Sequence, residues 1–193
     1  IAAKMFNVKI YLFEPNMVIG RANKFLLRFS NKILCYSDKI INFPKKRIDK
    51  IVVINHIVRK EIYDLKNYTQ KNINNNLNLL IVGGSQGAKL FDEKLRQSIL
   101  NLSKKYNLKV YHQVSSLNFN NLHSFYKENN IKNKLFSFEQ NIFQYIIDSN
   151  LAITRAGAST LSELAFLNVP FITIPYNFAT DNHQLENAIE YDR

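Results

Sequence analysis

The sequence predicts an α/β protein built on doubly wound parallel sheets. Two observations predict it. From residue 78 onward, short apolar runs of strand length alternate with helix-length stretches. The runs at 79–82, 151–154 and 171–174 are almost continuously apolar, as expected of strands covered on both faces of a parallel sheet.

The elements follow in order. Residues 8–13 alternate and are β-prone, so they are read as a strand. Residues 14–20 form a loop holding Pro15, Asn16 and Gly20, and 21–30 a helix with Phe25, Leu26, Leu27 and Phe29 set among basic residues. Residues 33–36 and 51–54 read as two further short strands. Composition then turns polar over 60–78, with a run of Lys and Asn at 71–76. The expected layout is part of one α/β domain over 1–58, a connector over 59–77, and a second, Rossmann-like domain over 78–193. In the second domain, strands are expected at 78–82, 108–113, 134–138, 151–154 and 171–174. Helices are expected at 88–105, 119–129, 142–148, 158–167 and from 183. Residues 1–5 read as the tail of a helix without a signal-peptide core, and 190–193 stop inside a helical pattern. Both ends are therefore expected to be cut.

Composition narrows the function. No run of about 18 apolar residues exists to span a membrane as a helix. Cys35 is the single cysteine, so an internal disulfide is excluded, a cysteine metal site is not expected, and a reducing compartment fits. Cys35 lies in an apolar run and is read as a small core residue. His56, His112 and His123 lack the spacing of a metal triad or nucleophile system, so no metal is expected. The net charge of +11 favours acidic partners, although a bias toward Asn, Lys and Ile also raises it. No helix-turn-helix, RNA-recognition signature or zinc spacing points to nucleic acid.

Three loops at the carboxyl ends of expected strands carry the candidate chemistry, because ligands of open parallel sheets bind there. The first is 83–88, GGSQGA, in which Gly84, Ser85 and Gln86 stand where a strand enters a helix. Glycines allow close backbone approach, and the helix start offers free N–H groups to a phosphate. A tight packing turn is the other reading, and the loop is neither G-x-G-x-x-G nor a Walker P-loop. The second is 154–163, TRAGASTLSE, which again enters a helix. Glu163 has two readings: a carboxylate that accepts both hydroxyls of a ribose, or the partner of a Ser159 or Thr160 helix cap. In the third, residues 175–184, Asp181 reads as an N-cap, His183 as a surface residue at a helix start, and Gln184 as pointing back to the sheet edge.

These strings resemble one family. LLIVGGSQGA at 79–88, TRAGASTLSELA at 154–165 and D-x-H-Q-x-x-N-A at 181–188 are similar to the MurG family, in order and at matching spacing. Phe13-Glu14-Pro15-Asn16, with Gly20 and Asn23, resembles its H-E-Q-N-x-x-x-G-x-x-N loop. Residues 55–59 resemble its G-N-P-V-R segment. The resemblance implies a GT-B fold: two Rossmann-like domains flanking a cleft, here with the first domain truncated at its N-terminus and the second at its C-terminus. It implies inverting transfer of N-acetylglucosamine from UDP-N-acetylglucosamine to the undecaprenyl-linked lipid I, giving lipid II of peptidoglycan. No cofactor is implied, and helix starts and backbone N–H groups would stabilise the leaving diphosphate. The implied location is the cytoplasmic side of the bacterial inner membrane, bound peripherally to its anionic surface.

Residue by residue, the resemblance places Ser85 and its loop, with Gly84 and Gln86, at the diphosphate or sugar. Ala158, Ser159, Thr160, Leu161, Ser162 and Glu163 would hold the nucleoside, with Glu163 on the ribose. Gln184, with Asp181 and His183 beside it, would bind sugar hydroxyls. Asn16 and Arg59 would approach the donor from the other side of the cleft, and backbone near Phe138 and Glu139 would contact uracil. Phe13, Pro15, His56 and Ile57 depart from the family pattern. Its Gly-rich loop with the candidate base histidine has no counterpart here, so the chain alone is expected not to transfer sugar. The alternatives are a non-catalytic remnant or another GT-B enzyme of UDP-sugars, such as a 2-epimerase.

Overall fold

The computed structural model describes residues 2–65, 74–176 and 179–192, with backbone only at 85–88 and 180. The chain forms two compact units: Ile1–Ile57 with Ala156–Ser159 and Pro175–Arg193, and Val58–Arg155 with Thr160–Ile174.

The first unit opens with a short helix, α1 (Ala2–Met5). Its described strands are β1 (Tyr11–Glu14), β2 (Lys32–Cys35) and β3 (Ile51–Val53), paired in parallel in that order. Leu27, Ile33, Cys35 and Ile40 are buried together behind this sheet with Met17 and Ile19. Cys35 is the expected core residue, and burial, with the nearby Glu14 charge, pushes its thiol pKa up to about 11. The helix expected over 21–30 is shorter: α2 spans Arg21–Leu26. Past its end the Lys50 ammonium donates to the Leu27 and Ser30 carbonyls, as a lysine does for the orphan acceptors at a helix C-terminus. At the far end of the chain, α9 (His183–Tyr191) belongs to the same unit.

The second unit begins with α3 (Lys60–Tyr63), whose Ile62 is fully buried in the unit's core. The described strands of its sheet are β4 (Asn76–Val82), β5 (Asn107–Gln113), β6 (Lys132–Phe136), β7 (Leu151–Thr154) and β8 (Phe171–Thr173). They are parallel in the order β6-β5-β4-β7-β8. Strand β4 shows why both faces are apolar. Leu77, Leu79 and Ile81 pack under α4 (Gly84–Lys94), α5 (Arg96–Ser103) and α6 (Phe119–Glu128). Leu80 and Val82 pack on the other face under α7 (Ile142–Asp148) and α8 (Ala158–Phe166). The sequence predicts a single helix over 88–105. The structure instead starts the helix at Gly84 and breaks it at Leu95. At the break the Arg96 guanidinium donates to the Asp92 carbonyl at 2.9 Å, in place of a continuing backbone ladder.

Strand order reverses between β4 and β7, because the chain first winds outward through β5 and β6 and then returns to the other side of β4. The loops following β4 and β7 therefore open at the crevice where parallel sheets bind ligands. Both are loops singled out by the sequence.

Candidate functional site

In the loop after β4, Gly84 has φ +65° and opens α4 in the left-handed region that favours glycine. A Cβ there would meet nothing within 4 Å, so the backbone conformation, not crowding, calls for glycine. The Gly84 N–H donates to Gln113 Oε1 at 2.9 Å, and Gln113 Nε2 donates to the Ser137 carbonyl at 3.3 Å. One side chain at the end of β5 thus ties the loop after β4 to the loop after β6. The side chains of the candidates Ser85 and Gln86 lie outside the described residues.

The loop after β5 has its own anchor. Asp92, fully buried on α4, accepts from the Ser115 N–H, the Ser115 hydroxyl and the Asn118 amide at 3.4, 3.2 and 3.0 Å. His112 lies behind it, with Nε2 3.4 Å from Asp92 Oδ1 and Nδ1 2.8 Å from the Tyr126 hydroxyl. The 3.4 Å contact is electrostatic, without hydrogen-bond geometry. Burial alone would raise the Asp92 pKa; the close His112 ring, the Asn118 amide and the Ser115 N–H outweigh it and lower the value. Burial lowers the His112 pKa, against the pull of Asp92, and raises that of Tyr126.

Beyond β7, α8 carries most of the nucleoside candidates. Ser159 is exposed and Ala158 and Thr160 half-buried, while Leu161 and Ser162 are buried. The Glu163 carboxylate does not turn back to cap the helix start. It accepts from Arg59, Nε to Oε1 at 2.7 Å and Nη2 to Oε2 at 3.3 Å. Its side chain is 8 % exposed. The third guanidinium nitrogen, Nη1, reaches the Gln140 carbonyl in the loop after β6 at 3.4 Å. Arg59, expected to approach the donor from the other side of the cleft, belongs to the same unit as Glu163 and stands directly against it. Glu139, in that same loop, accepts from the Asn141 N–H at 3.0 Å and the Tyr145 hydroxyl at 3.2 Å, and Phe138 beside it is 83 % exposed.

In the first unit, the candidate Asn16 is part of a loop organised by a carboxylate. Glu14, 2 % exposed, accepts from the Asn16 N–H and amide at 3.2 and 3.1 Å, the Gly20 N–H at 2.7 Å and the Asn23 amide at 2.9 Å. Buried Asn187 on α9 completes the arrangement. Its amide donates to Asn16 Oδ1 and the Ala156 carbonyl at 3.0 and 3.1 Å, and its oxygen accepts the Met17 N–H at 2.9 Å. Gln184 accepts the Tyr176 N–H at 2.9 Å. Asp181 is not the N-cap of α9: Asn182 holds that position, and Asp181 pairs with Arg21 at 3.4 Å. His183 is half-buried at the first residue of α9. Among the described residues no cluster of three or more His, Cys, Asp or Glu is arranged to hold a metal ion.

Residues 78–192 match the glycosyltransferase family 28 C-terminal domain. A curated relative from Pelagibacter ubique (strain HTCC1062), named UDP-N-acetylglucosamine–N-acetylmuramyl-(pentapeptide) pyrophosphoryl-undecaprenol N-acetylglucosamine transferase, is 46% identical over 193 residues, 100% of this chain and 54% of its own length. A relative of the same name from Rickettsia canadensis (strain McKiel) is 38% identical over 97% of this chain and 54% of its own length. The crystal structure of Acinetobacter baumannii MurG aligns with a TM-score of 0.74 and 27% identity, over 97% of this chain and 52% of that one. The chain belongs to the MurG family. It spans about half the length of the curated relatives it matches. A glycosyltransferase from Rickettsia africae, at TM-score 0.53 and 16% identity over 98% of this chain and 62% of that one, shares the fold.

Family membership gives the E-x-N-x-x-x-G-x-x-N string of the first unit a physical meaning. Its Glu, Asn, Gly and Asn are a carboxylate and its donors. Sequence reasoning chose Asn16 alone and missed Glu14 as the hub. The signal available was the charge itself, an acidic residue at the end of an apolar strand with donors at fixed offsets. Gln113 and Asp92 were also missed, and nothing in their local sequence marks them; Asn187 stands in the D-x-H-Q-x-x-N-A string at 181–188 and was not singled out from it.

Proposed function

We propose that the chain is part of an enzyme that moves N-acetylglucosamine from UDP-N-acetylglucosamine to lipid I, forming lipid II, with inversion at the transferred sugar. The observation that carries this reading is the buried Glu163 carboxylate, held in plane by Arg59 on the helix that follows β7. A fixed carboxylate beside the strand-order reversal suits the two hydroxyls of a ribose. The N–H groups at the start of α4, made accessible by Gly84, suit a diphosphate. Together these are the two halves of a nucleoside diphosphate. The names of the curated relatives support the sugar and the lipid acceptor.

On this reading, Ala158 to Ser162 offer backbone and small side chains to the nucleoside, and the loop at Phe138 and Glu139 faces the base. Ser85, Gln86, Asn16, Gln184 and His183 are proposed contacts of the diphosphate and sugar. The leaving UDP is stabilised by helix-start N–H groups. The lipid acceptor calls for work at a bilayer face, and no described helix is long and apolar enough to cross a membrane. We therefore propose peripheral attachment to an anionic surface through α2 and its basic neighbours.

The test uses the protein that carries this chain, UDP-N-acetylglucosamine labelled in the sugar, and a lipid I analogue. Label is expected to move into the lipid product, and Glu163→Ala is expected to raise the donor KM about ten-fold or more, the worth of a charge-assisted bond. Conversion of the donor to an epimer with no label in lipid would replace this reading with the epimerase one.

A further inference from the structure

Two features of Arg59 stand out in the second unit. It holds both oxygens of Glu163, and it touches the loop after β6 through Gln140. We propose that Arg59 is a positioning residue for Glu163 and thereby sets selectivity for a ribose over a 2′-deoxyribose in the bound nucleotide. This rests on the reading of Glu163 as the ribose carboxylate, and it assigns Arg59 a role other than direct contact with the donor.

A diol donates two O–H groups, and one carboxylate accepts both only if it is turned so that both of its oxygens face the sugar. A glutamate free to rotate loses that freedom on binding. The guanidinium is a planar fork that matches a carboxylate edge. Here it takes one lone pair from Oε1 and one from Oε2, and each oxygen keeps further acceptor capacity for a hydroxyl. Burying a carboxylate carries a desolvation cost, and the Arg59 guanidinium stands against both of its oxygens as a counter-charge. The contact to the Gln140 carbonyl extends the same rigid unit to the loop that faces the base. A lysine keeps the charge and loses the fork.

The test is calorimetric titration of the protein that carries this chain with UDP, 2′-deoxy-UDP and uridine. The wild type is expected to prefer UDP over 2′-deoxy-UDP by about ten-fold, as for loss of one bond to a charged acceptor. Arg59→Gln is expected to bring that ratio close to one and to leave the ratio of UDP to uridine unchanged. Arg59→Lys, the milder change should Arg59→Gln fail to fold by circular dichroism, is expected to lower the first ratio as well. Combining Arg59→Gln with Glu163→Gln is expected to do no more than either alone. A wild-type ribose ratio in folded Arg59→Gln or Arg59→Lys overturns the inference. So does a loss confined to the UDP-to-uridine ratio, which would make Arg59 a phosphate ligand. A wild type that shows no ribose preference overturns the reading of Glu163 itself, and the inference with it.

Discussion

Glu14 Oε2 accepts the Gly20 N–H at 2.7 Å and lies 3.2 Å from where a Gly20 side chain would begin. A buried carboxylate therefore crowds the place that a side chain at residue 20 would take. Three more donor contacts, from Asn16 and Asn23, keep it from moving aside.

The first prediction follows from that contact. Gly20→Ala forces a shift in a carboxylate that cannot yield cheaply and is expected to cost about 1–3 kcal/mol. Glu14→Gln turns an acceptor-only group into one whose amide faces N–H donors, and it is expected to cost about 2–3 kcal/mol. Urea unfolding measures both. A Glu14→Gln chain as stable as wild type would show that the carboxylate is not the hub of the loop.

Gly84 makes a different prediction, because the space around it is open and only its φ of +65° is demanding. Gly84→Ala is expected to cost about 1–2 kcal/mol, Gly84→Asn less, since asparagine tolerates the left-handed region, and Gly84→Val most. Equal losses for Asn and Val would mean that crowding, not backbone conformation, selects the glycine.

The Asp92–His112 pair predicts a pH dependence. The His112 pKa is lowered in the folded chain, chiefly by burial, and its ordinary value is 6.5. Between the folded value and 6.5 the unfolded chain binds more protons than the folded one, so stability rises with pH there and is lost on acidification. His56, lowered by burial against the pull of Glu190, adds to the same window. Asp92 acts in the same sense at lower pH, below its ordinary 3.8. The urea midpoint is expected to fall from pH 7 to pH 5, with a slope of up to about 1.4 kcal/mol per pH unit for each proton. His112→Gln should flatten that slope. An unchanged slope in the variant would remove His112 as its source.

The membrane proposal turns on α2. Leu27, just past its end, is fully buried, whereas Phe25 is 52 % exposed with the Arg28 guanidinium 4.1 Å above its ring. Lys24 and Lys32 are also exposed. Each basic residue near an anionic surface contributes about 1 kcal/mol, and salt screens it. Replacing Lys24, Arg28 and Lys32 by Glu is expected to abolish co-sedimentation with anionic vesicles at low salt and to change nothing with neutral ones. Equal pelleting of both proteins on anionic vesicles would exclude this surface.

The sequence by itself determined the class of fold, the strands and helices of the second unit to within a few residues, and the two Gly-containing loops that the strand order places beside its reversal. It could do so because strand length, apolar runs and Gly-rich turns are local properties. The 3.6-residue period, however, hid the break at Leu95, since a helix that kinks keeps the same spacing on both sides. What Glu163 does was open in the sequence, where a helix cap and a ligand carboxylate have the same spacing. The structure turns it to Arg59, 104 positions away. Likewise Asn187 meets the Met17 N–H at a separation of 170 residues, and Gln113 meets Gly84 across 29. Hydrogen bonds of this kind join groups whose positions along the chain are unrelated, so no periodicity or motif spacing records them. Only tertiary packing brings donor and acceptor within 3 Å, and burial then makes the pairing obligatory, because an unmatched polar group away from water costs more than the bond itself gains.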